Sequence, residues 1–115
     1  MYYRMLYPSQ KPADFEEYLR QLAENLAQPG RFSAAAAMTT TPRGPCTERL
    51  GRMKTPTLVI MGSKDPDFDP VAEGKFIATQ TNGRLEMVEG AGHYPQTEMP
   101  EKTAPLVIDF LKMSV

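Results

Sequence analysis

The second half of the chain contains two short apolar runs, each followed by a loop and a segment with a helical pattern. The first run is TLVIMG, residues 57–62, which begins after Pro56 and ends at a loop rich in Asp and Pro. The second is LEMV, residues 85–88, which follows a turn at Asn82 and Gly83. Continuous aliphatic and β-branched runs of this length are typical of strands buried on both faces. The first run therefore predicts a strand buried on both faces, and the second predicts a strand through Leu85, Met87 and Val88.

The segment after each run has the features of a helix. Asp69 precedes Pro70, which is the order of an N-cap and a first helical residue. The residues expected on the buried face of this helix are Val71, Phe76 and Ile77. The last helix, MPEKTAPLVIDFLKM, is expected to place inward Leu106, Val107, Phe110 and Leu111. Strand, helix, strand, helix in this order predicts an α/β fold with a right-handed parallel crossover.

The first half of the chain has helical periodicity instead. Pro12 suits a first helical position, and acidic residues follow it where the helix dipole favours them. One apolar stripe is formed by Phe15, Tyr18, Leu19, Leu22 and Leu26. Further helices are predicted from Pro29 and from Pro45, and the aromatic segment before them is expected to pack against the protein. We predict a helical layer over residues 1–52 and a βαβα segment over residues 53–115.

Composition excludes several classes of function. Thirteen basic and 14 acidic residues give a formal charge of −1, which provides no basic field for nucleic acid or anionic lipid. Cys46 is the one cysteine and His93 the one histidine, so neither an internal disulfide nor a zinc cluster of Cys and His can form. EGAGH lacks the spacing of nucleotide-binding glycine loops. We expect a cytoplasmic protein without metal, cofactor, nucleic acid or membrane partner.

A parallel sheet of only two strands leaves two hydrophobic edges with unpaired backbone groups. Helices of the first half can cover a face of such a sheet but not an edge. We therefore expect another copy of the chain, or a different chain, to continue the sheet, and a symmetric dimer is the simplest closed arrangement. The alternative is a monomer in which loops block both edges.

The candidate catalytic side chains lie in the loops that follow the two strands. Asp65 is three residues past Gly62, and His93 is five residues past Val88. Both loops leave a parallel sheet at its carboxyl edge, where ligands usually bind. A carboxylate that accepts a hydrogen bond from one imidazole nitrogen leaves the other nitrogen free to take a proton. The alternatives are a turn formed by the Asp65-Pro66 pair and a packing role for His93.

These segments resemble a known family. TPTLVIMGSKDPDFDP is similar to the segment that contains the triad acid in the α/β-hydrolase superfamily, and LEMVEGAGHYPQTEMPEKTAPLVIDFL is similar to its histidine loop and final helix. The likeness covers about residues 52–112, and the residues before it resemble the helical cap of such enzymes. On this resemblance Asp65 aligns with the catalytic acid, ahead of Asp67 and Asp69, and His93 aligns with the catalytic base. The chain resembles the C-terminal half of a hydrolase.

The nucleophile of that family has no counterpart in this sequence. Gly-x-Ser-x-Gly is absent, and no small residues of that pattern flank Ser9, Ser33, Ser63 or Ser114. Ser63 and Cys46 are weaker candidate nucleophiles, and Glu98 and Glu101 are explained by the helix dipole. We expect a truncated hydrolase-like protein that is inactive alone and hydrolyses esters or amides if another chain supplies the serine. The alternatives are a non-catalytic binder of a small apolar molecule and a self-associating domain.

Overall fold

The computed structural model describes residues 2–113, in which seven helices and two strands follow one another along the chain. Ser114, named above among the serines, lies outside the described residues. In chain order the elements are α1 Tyr2–Met5, α2 Phe15–Leu26, α3 Arg31–Thr40, α4 Gly44–Leu50, β1 Leu58–Gly62, α5 Pro70–Thr81, β2 Arg84–Val88, α6 Pro95–Glu98 and α7 Pro100–Met113. The predicted order of strand, helix, strand and helix is confirmed. No helix within the described range has the length and apolar character needed to cross a membrane.

The two strands form one parallel sheet. Their register pairs Leu58 with Arg84 at one end and Gly62 with Val88 at the other. Val88 is 2 % exposed and Val59 is also buried, whereas most other strand residues are half-buried. The predicted parallel pair of strands is therefore present, with the carboxyl ends of β1 and β2 side by side.

Helix α5 crosses between the strands and packs through small residues. The Asp69 side chain caps it by accepting hydrogen bonds from the backbone N–H groups of Val71 and Ala72 at 3.1 and 3.0 Å, as predicted. Its buried residues are Gly74, Ala78 and Thr81. A Cβ on Gly74 would lie 2.7 Å from Leu85 Cδ1, so the helix is too close to the strands for a larger side chain. Val71 and Phe76 are exposed, so their predicted burial is wrong. The helix packs too closely on the strands for large side chains to lie between them.

Helix α7 is less buried than its sequence predicts. Leu106 and Phe110 are half-buried, but Val107 is 38 % and Leu111 56 % exposed. Thr103 is the buried residue of this helix, and its hydroxyl donates to the carbonyl oxygens of Pro95 and Met99 at 3.0 Å. The expectation that Val107 and Leu111 lie inward is wrong because the described chain contacts α7 along a narrower face.

The described residues divide into two compact units. Their limits differ from the boundary predicted between residues 52 and 53. One unit comprises residues 2–11 and 49–113, and the other is Pro12–Glu48. The N-terminal segment belongs with the sheet because its backbone bonds to the loop after β2, where His93 N–H donates to the Leu6 carbonyl at 3.0 Å. The assignment of a cap-like role to the helical unit stays a prediction.

The helical unit contains α2 and α3. Helix α2 begins at Phe15, and Pro12 lies before it in a turn where its carbonyl accepts from Phe15 N–H at 3.1 Å. Arg20 pairs across one exposed face of α2 with Glu17 and Glu24 at 2.6 and 2.5 Å. The bond to Arg20 lowers the pKa of Glu17. Such i,i+3 and i,i+4 pairs support a helix but contribute little when exposed.

Candidate active site

The loops that follow β1 and β2 are bonded directly to each other. Ser63 N–H donates to the Val88 carbonyl at 3.1 Å, and Lys64 N–H donates to the Ala91 carbonyl at 2.9 Å. The Ser63 hydroxyl accepts from Gly90 N–H at 2.9 Å. These bonds continue the pairing of the strands beyond their carboxyl ends, and they bring together the two loops that contain Asp65 and His93.

Asp65 and His93 form a hydrogen-bonded pair at this edge of the sheet. His93 Nδ1 lies 2.9 Å from Asp65 Oδ2 and 3.1 Å from Asp65 Oδ1. The Asp65 side chain is 5 % exposed and that of His93 is 26 % exposed. Asp67 N–H donates to Asp65 Oδ1 at 2.8 Å, so the carboxylate is held from two directions. The hydrogen bonds that the described residues make to the imidazole all use Nδ1, which leaves Nε2 to exchange a proton with a reacting group.

Two aromatic rings orient the imidazole. The Phe68 ring is stacked with it at a centroid distance of 5.9 Å and an interplanar angle of 17°. The Tyr94 ring meets it edge to face at 4.8 Å and 87°. The ring plane of His93 is therefore fixed by packing as well as by its hydrogen bonds to Asp65.

Asp67 is a second carboxylate near the same nitrogen. Its Oδ2 lies 3.9 Å from His93 Nδ1, beyond hydrogen-bond distance. The Tyr2 hydroxyl donates to this oxygen at 2.5 Å, and this bond, with a smaller effect of burial, raises the pKa of Tyr2 to about 12. Asp65, and not Asp67, is thus the hydrogen-bond partner of His93.

The same three side chains could also bind a cation. Asp65, Asp67 and His93 offer ligand atoms within 4.8 Å of one another. The imidazole can bind a cation only through Nδ1 or Nε2. Nδ1 is already hydrogen-bonded to Asp65. Cation binding through Nδ1 and the acid and base pair are therefore alternative uses of the same atoms.

The two weaker nucleophile candidates have other surroundings. The Ser63 hydroxyl is occupied as the acceptor for Gly90 N–H, which gives it a structural role. Cys46 is an exposed free thiol on α4, within the compact unit that spans residues 12–48. The hydrogen bonds that the described residues make to His93 do not include the Ser63 hydroxyl.

Glu98 has a structural role that the sequence did not reveal. It was expected to interact only with a helix dipole, but it is 2 % exposed and bonds to three backbone N–H groups. Its Oε1 accepts from Ser9 and, at 3.1 Å, from Gln10, and its Oε2 accepts from Gly92 at 2.6 Å. The helix dipole is therefore not a sufficient explanation of Glu98. No local pattern marks a buried glutamate, because two of its three partners, Ser9 and Gln10, lie in a distant segment of the chain.

Comparison with known proteins shows which family the chain resembles in sequence. Residues 2–106 match the alpha/beta hydrolase family. A monoacylglycerol lipase, ABHD6, from Rattus norvegicus is 38 % identical over 64 residues, 56 % of this chain and 19 % of that protein. A 2-hydroxy-6-oxononadienedioate/2-hydroxy-6-oxononatrienedioate hydrolase from Paraburkholderia xenovorans is 34 % identical over 97 residues, 84 % of this chain and 28 % of that protein.

A third relative has a different named activity. A putative protein-lysine deacylase, ABHD14B, from Rattus norvegicus is 32 % identical over 74 residues, 58 % of this chain and 33 % of that protein. A search of solved structures gives no significant match. The chain spans only 19 % and 28 % of the length of the lipase and of the bacterial hydrolase. The match over residues 2–106, together with the α/β order of the elements, shows that this chain belongs to the alpha/beta hydrolase family.

Proposed function

We propose that this chain provides the acid and the base of a hydrolase active site whose serine lies outside these 115 residues. Asp65 is the acid and His93 is the base. The observation that supports this most directly is the 2.9 Å contact between Asp65 Oδ2 and His93 Nδ1, made by a carboxylate that is almost fully buried. Membership of the alpha/beta hydrolase family gives the pair its chemical context.

The proposed reaction uses each atom of the pair. Asp65 holds the proton on Nδ1 and stabilises the imidazolium when it forms. Nε2 takes the proton of a serine hydroxyl as the serine oxygen attacks the carbonyl carbon of an ester or amide. Nε2 then donates this proton to the departing alcohol or amine as its bond to the carbonyl carbon breaks. Water attacks the acyl-serine in the same way and releases the acid and the free serine.

Without a nucleophile this pair is a weak catalyst. An activated serine and an oxyanion hole supply much of the rate of such enzymes. The sequence lacks Gly-x-Ser-x-Gly, and the Ser63 hydroxyl bonds to Gly90. We therefore propose that the chain is inactive alone, and that in a complete site the helices of the cap-like segment select an apolar acyl or alcohol group.

A chimera tests this function. An α/β-hydrolase chain that ends before its own acid and histidine strands, and that contains Gly-x-Ser-x-Gly, is joined to the start of this chain. The folded chimera should hydrolyse a short-chain nitrophenyl ester, and His93→Ala or Asp65→Asn should reduce the rate by about 10⁴-fold. Serine→Ala in the Gly-x-Ser-x-Gly motif is the matched control. A folded chimera with the same rate before and after His93→Ala would contradict the proposal.

Exposed apolar residues favour self-association as a second function. Val107, Ile108 and Leu111 on α7 are 38, 49 and 56 % exposed, and each strand of the described sheet has a strand neighbour on one side only. We propose that the chain forms a homo-oligomer through these surfaces. Sedimentation velocity should show a species larger than a monomer that Ile108→Lys converts to a monomer. Lys112→Glu, on the same helix, is the control and should leave the oligomer intact.

The proposed setting is the cytoplasm. Cys46 is a free, exposed thiol, a state that a reducing compartment preserves. Fractionation of cells that express the natural gene should recover the protein with cytoplasmic markers, and recovery in a secreted fraction would contradict this location.

A further inference from the structure

Glu98 is a buried carboxylate whose hydrogen bonds all go to the backbone. A carboxylate removed from water is costly unless hydrogen bonds replace its hydration. Glu98 is 2 % exposed, at the end of α6, and three N–H groups from two different segments supply those bonds. Oε2 bonds to Gly92 at 2.6 Å, and Oε1 bonds to Ser9 and Gln10. Both oxygens are therefore used, and each holds a different part of the chain.

The bond to Gly92 acts on the residue immediately before His93. The next N–H, that of His93, donates to the Leu6 carbonyl at 3.0 Å. On the other side of His93, helix α6 begins at Pro95 and Glu98 N–H donates to the Tyr94 carbonyl at 2.9 Å. The backbone from residue 92 to residue 98 is thus a closed ring, with the Glu98 side chain as the link that closes it.

The bonds of Oε1 hold the N-terminal segment against this ring. Ser9 and Gln10 donate from the backbone, and the Ser9 hydroxyl donates to the Gly90 carbonyl at 2.5 Å. A Cβ on Gly92 would lie 2.3 Å from Pro8 Cδ and 2.4 Å from the Leu6 carbonyl oxygen, so the two segments are in close contact. The Leu6 carbonyl that accepts from His93 is therefore placed by the same carboxylate.

We propose that Glu98 is a positioning residue for His93. It fixes the N–H groups of Gly92 and His93, the first directly and the second through the segment that contains Leu6, and so it sets where the imidazole meets Asp65. A catalytic effect of Glu98 rests on the proposed function of His93. The effect of Glu98 on the position of the imidazole ring does not. A test that measures the imidazole itself therefore separates failure of this inference from failure of the proposed function.

Glu98→Gln is the informative variant. A glutamine has one carbonyl oxygen in place of two carboxylate oxygens, so it can accept from Ser9 and Gln10 or from Gly92, but not from both sides. Its size is unchanged, which avoids a cavity. Glu101→Gln removes the same charge three residues later at an exposed position of α7 and is the matched control.

Nitrogen NMR of the single histidine gives the measurement. His93 is the one histidine of the chain, so with a purification tag that lacks histidine its ring signals are unambiguous. At a pH where the imidazole is neutral, the wild type should show the proton on Nδ1. Glu98→Gln should reduce the fraction of His93 with its proton on Nδ1 at least twofold. It should also reduce the protection of the Gly92 amide from hydrogen exchange at least tenfold. Glu101→Gln should change neither quantity.

Two results would overturn the inference. One is a folded Glu98→Gln protein with unchanged His93 nitrogen shifts and unchanged Gly92 protection, even if its thermal midpoint falls, because that is the result of a merely structural role. If Glu98→Gln does not fold, the wild type is used to measure scalar coupling across the hydrogen bond from the Gly92 amide nitrogen to the Glu98 carboxyl carbon. Detection of this coupling supports the inference, and its absence together with rapid Gly92 exchange overturns it.

Discussion

Gly62 lies so close to the backbone of Gly92 that there is no room for a side chain on Gly62. A Cβ on Gly62 would lie 2.0 Å from the Gly92 carbonyl oxygen and 2.5 Å from that of Ala91. The loop after β2 therefore passes directly over the end of β1. Asp65 follows Gly62 by three residues and His93 follows Gly92 by one, so this contact brings Asp65 close to His93.

Gly62→Ala should destabilise the protein strongly. The added methyl group meets backbone atoms, which cannot move aside as a flexible side chain can, so the free energy of unfolding should fall by about 3 kcal/mol. Urea denaturation measures this change. The control is Gly51→Ala, where a Cβ meets nothing within 4 Å and the change should be under about 1 kcal/mol. Equal stabilities for the two variants would show that the close approach is absent.

Asp65→Asn should change the tautomer of His93. An asparagine can present its NH₂ group to Nδ1, which then becomes an acceptor, and the ring proton moves to Nε2. Nitrogen NMR of the single histidine measures the proportion of each tautomer. Asp109→Asn, at an exposed position of α7, should leave the spectrum unchanged. A spectrum of Asp65→Asn identical to that of the wild type would contradict the contact between Asp65 and His93.

Tyr2 should ionise only in strongly alkaline solution. Its hydrogen bond to Asp67 raises its pKa from 10.0 to about 12, because the bond requires the phenol proton and the neighbouring carboxylate disfavours a second negative charge. The bond therefore stabilises the folded protein fully below pH 10, and this stabilisation is lost as pH rises towards 12.

The difference in tyrosinate absorbance between the wild type and Tyr2→Phe isolates this one group. Its transition should be centred near pH 12 in the folded protein, and in the Asp67→Asn background the transition should move towards 10.0. Circular dichroism at each pH verifies that the chain is folded. A transition centred at 10.0 in the wild type would rule out the bond between Tyr2 and Asp67.

Ser63 should prove structural. Ser63→Ala leaves Gly90 N–H without its acceptor, and the free energy of unfolding should fall by about 1 kcal/mol. A fluorophosphonate reagent, which reacts with activated serines, should form no adduct with the wild-type chain by mass spectrometry. Labelling that Ser63→Ala abolishes would instead identify Ser63 as a nucleophile.

Local sequence patterns predicted the elements of the sheet unit and the pair at its edge. The strand ends at Gly62 and Val88, the cap at Asp69 and the position of Asp65 and His93 in adjacent loops all follow from neighbouring residues and from the rule that parallel strands share a carboxyl edge. The order of the strands predicted which two loops meet, and the resemblance to the α/β hydrolases selected Asp65 ahead of Asp67 and Asp69 within its loop.

Features that depend on distances between elements were not predictable. The buried face of α5 is formed by Gly74, Ala78 and Thr81 because the helix lies close to the strands, and hydrophobicity alone pointed to Val71 and Phe76. The burial and the backbone hydrogen bonds of Glu98 were not predictable for a related reason. Its partners include Ser9, which is 89 positions away, and no local pattern encodes such a contact.

Turnover of a short-chain nitrophenyl ester by the purified chain tests the central claim most directly. The wild type is compared with His93→Ala and with free imidazole at the same concentration. Our account predicts that the wild type is no faster than imidazole, because the proposed acid and base need an activated serine and this sequence has no Gly-x-Ser-x-Gly motif. A rate well above that of imidazole, and lost in His93→Ala, would contradict the account and show that these residues assemble a complete site.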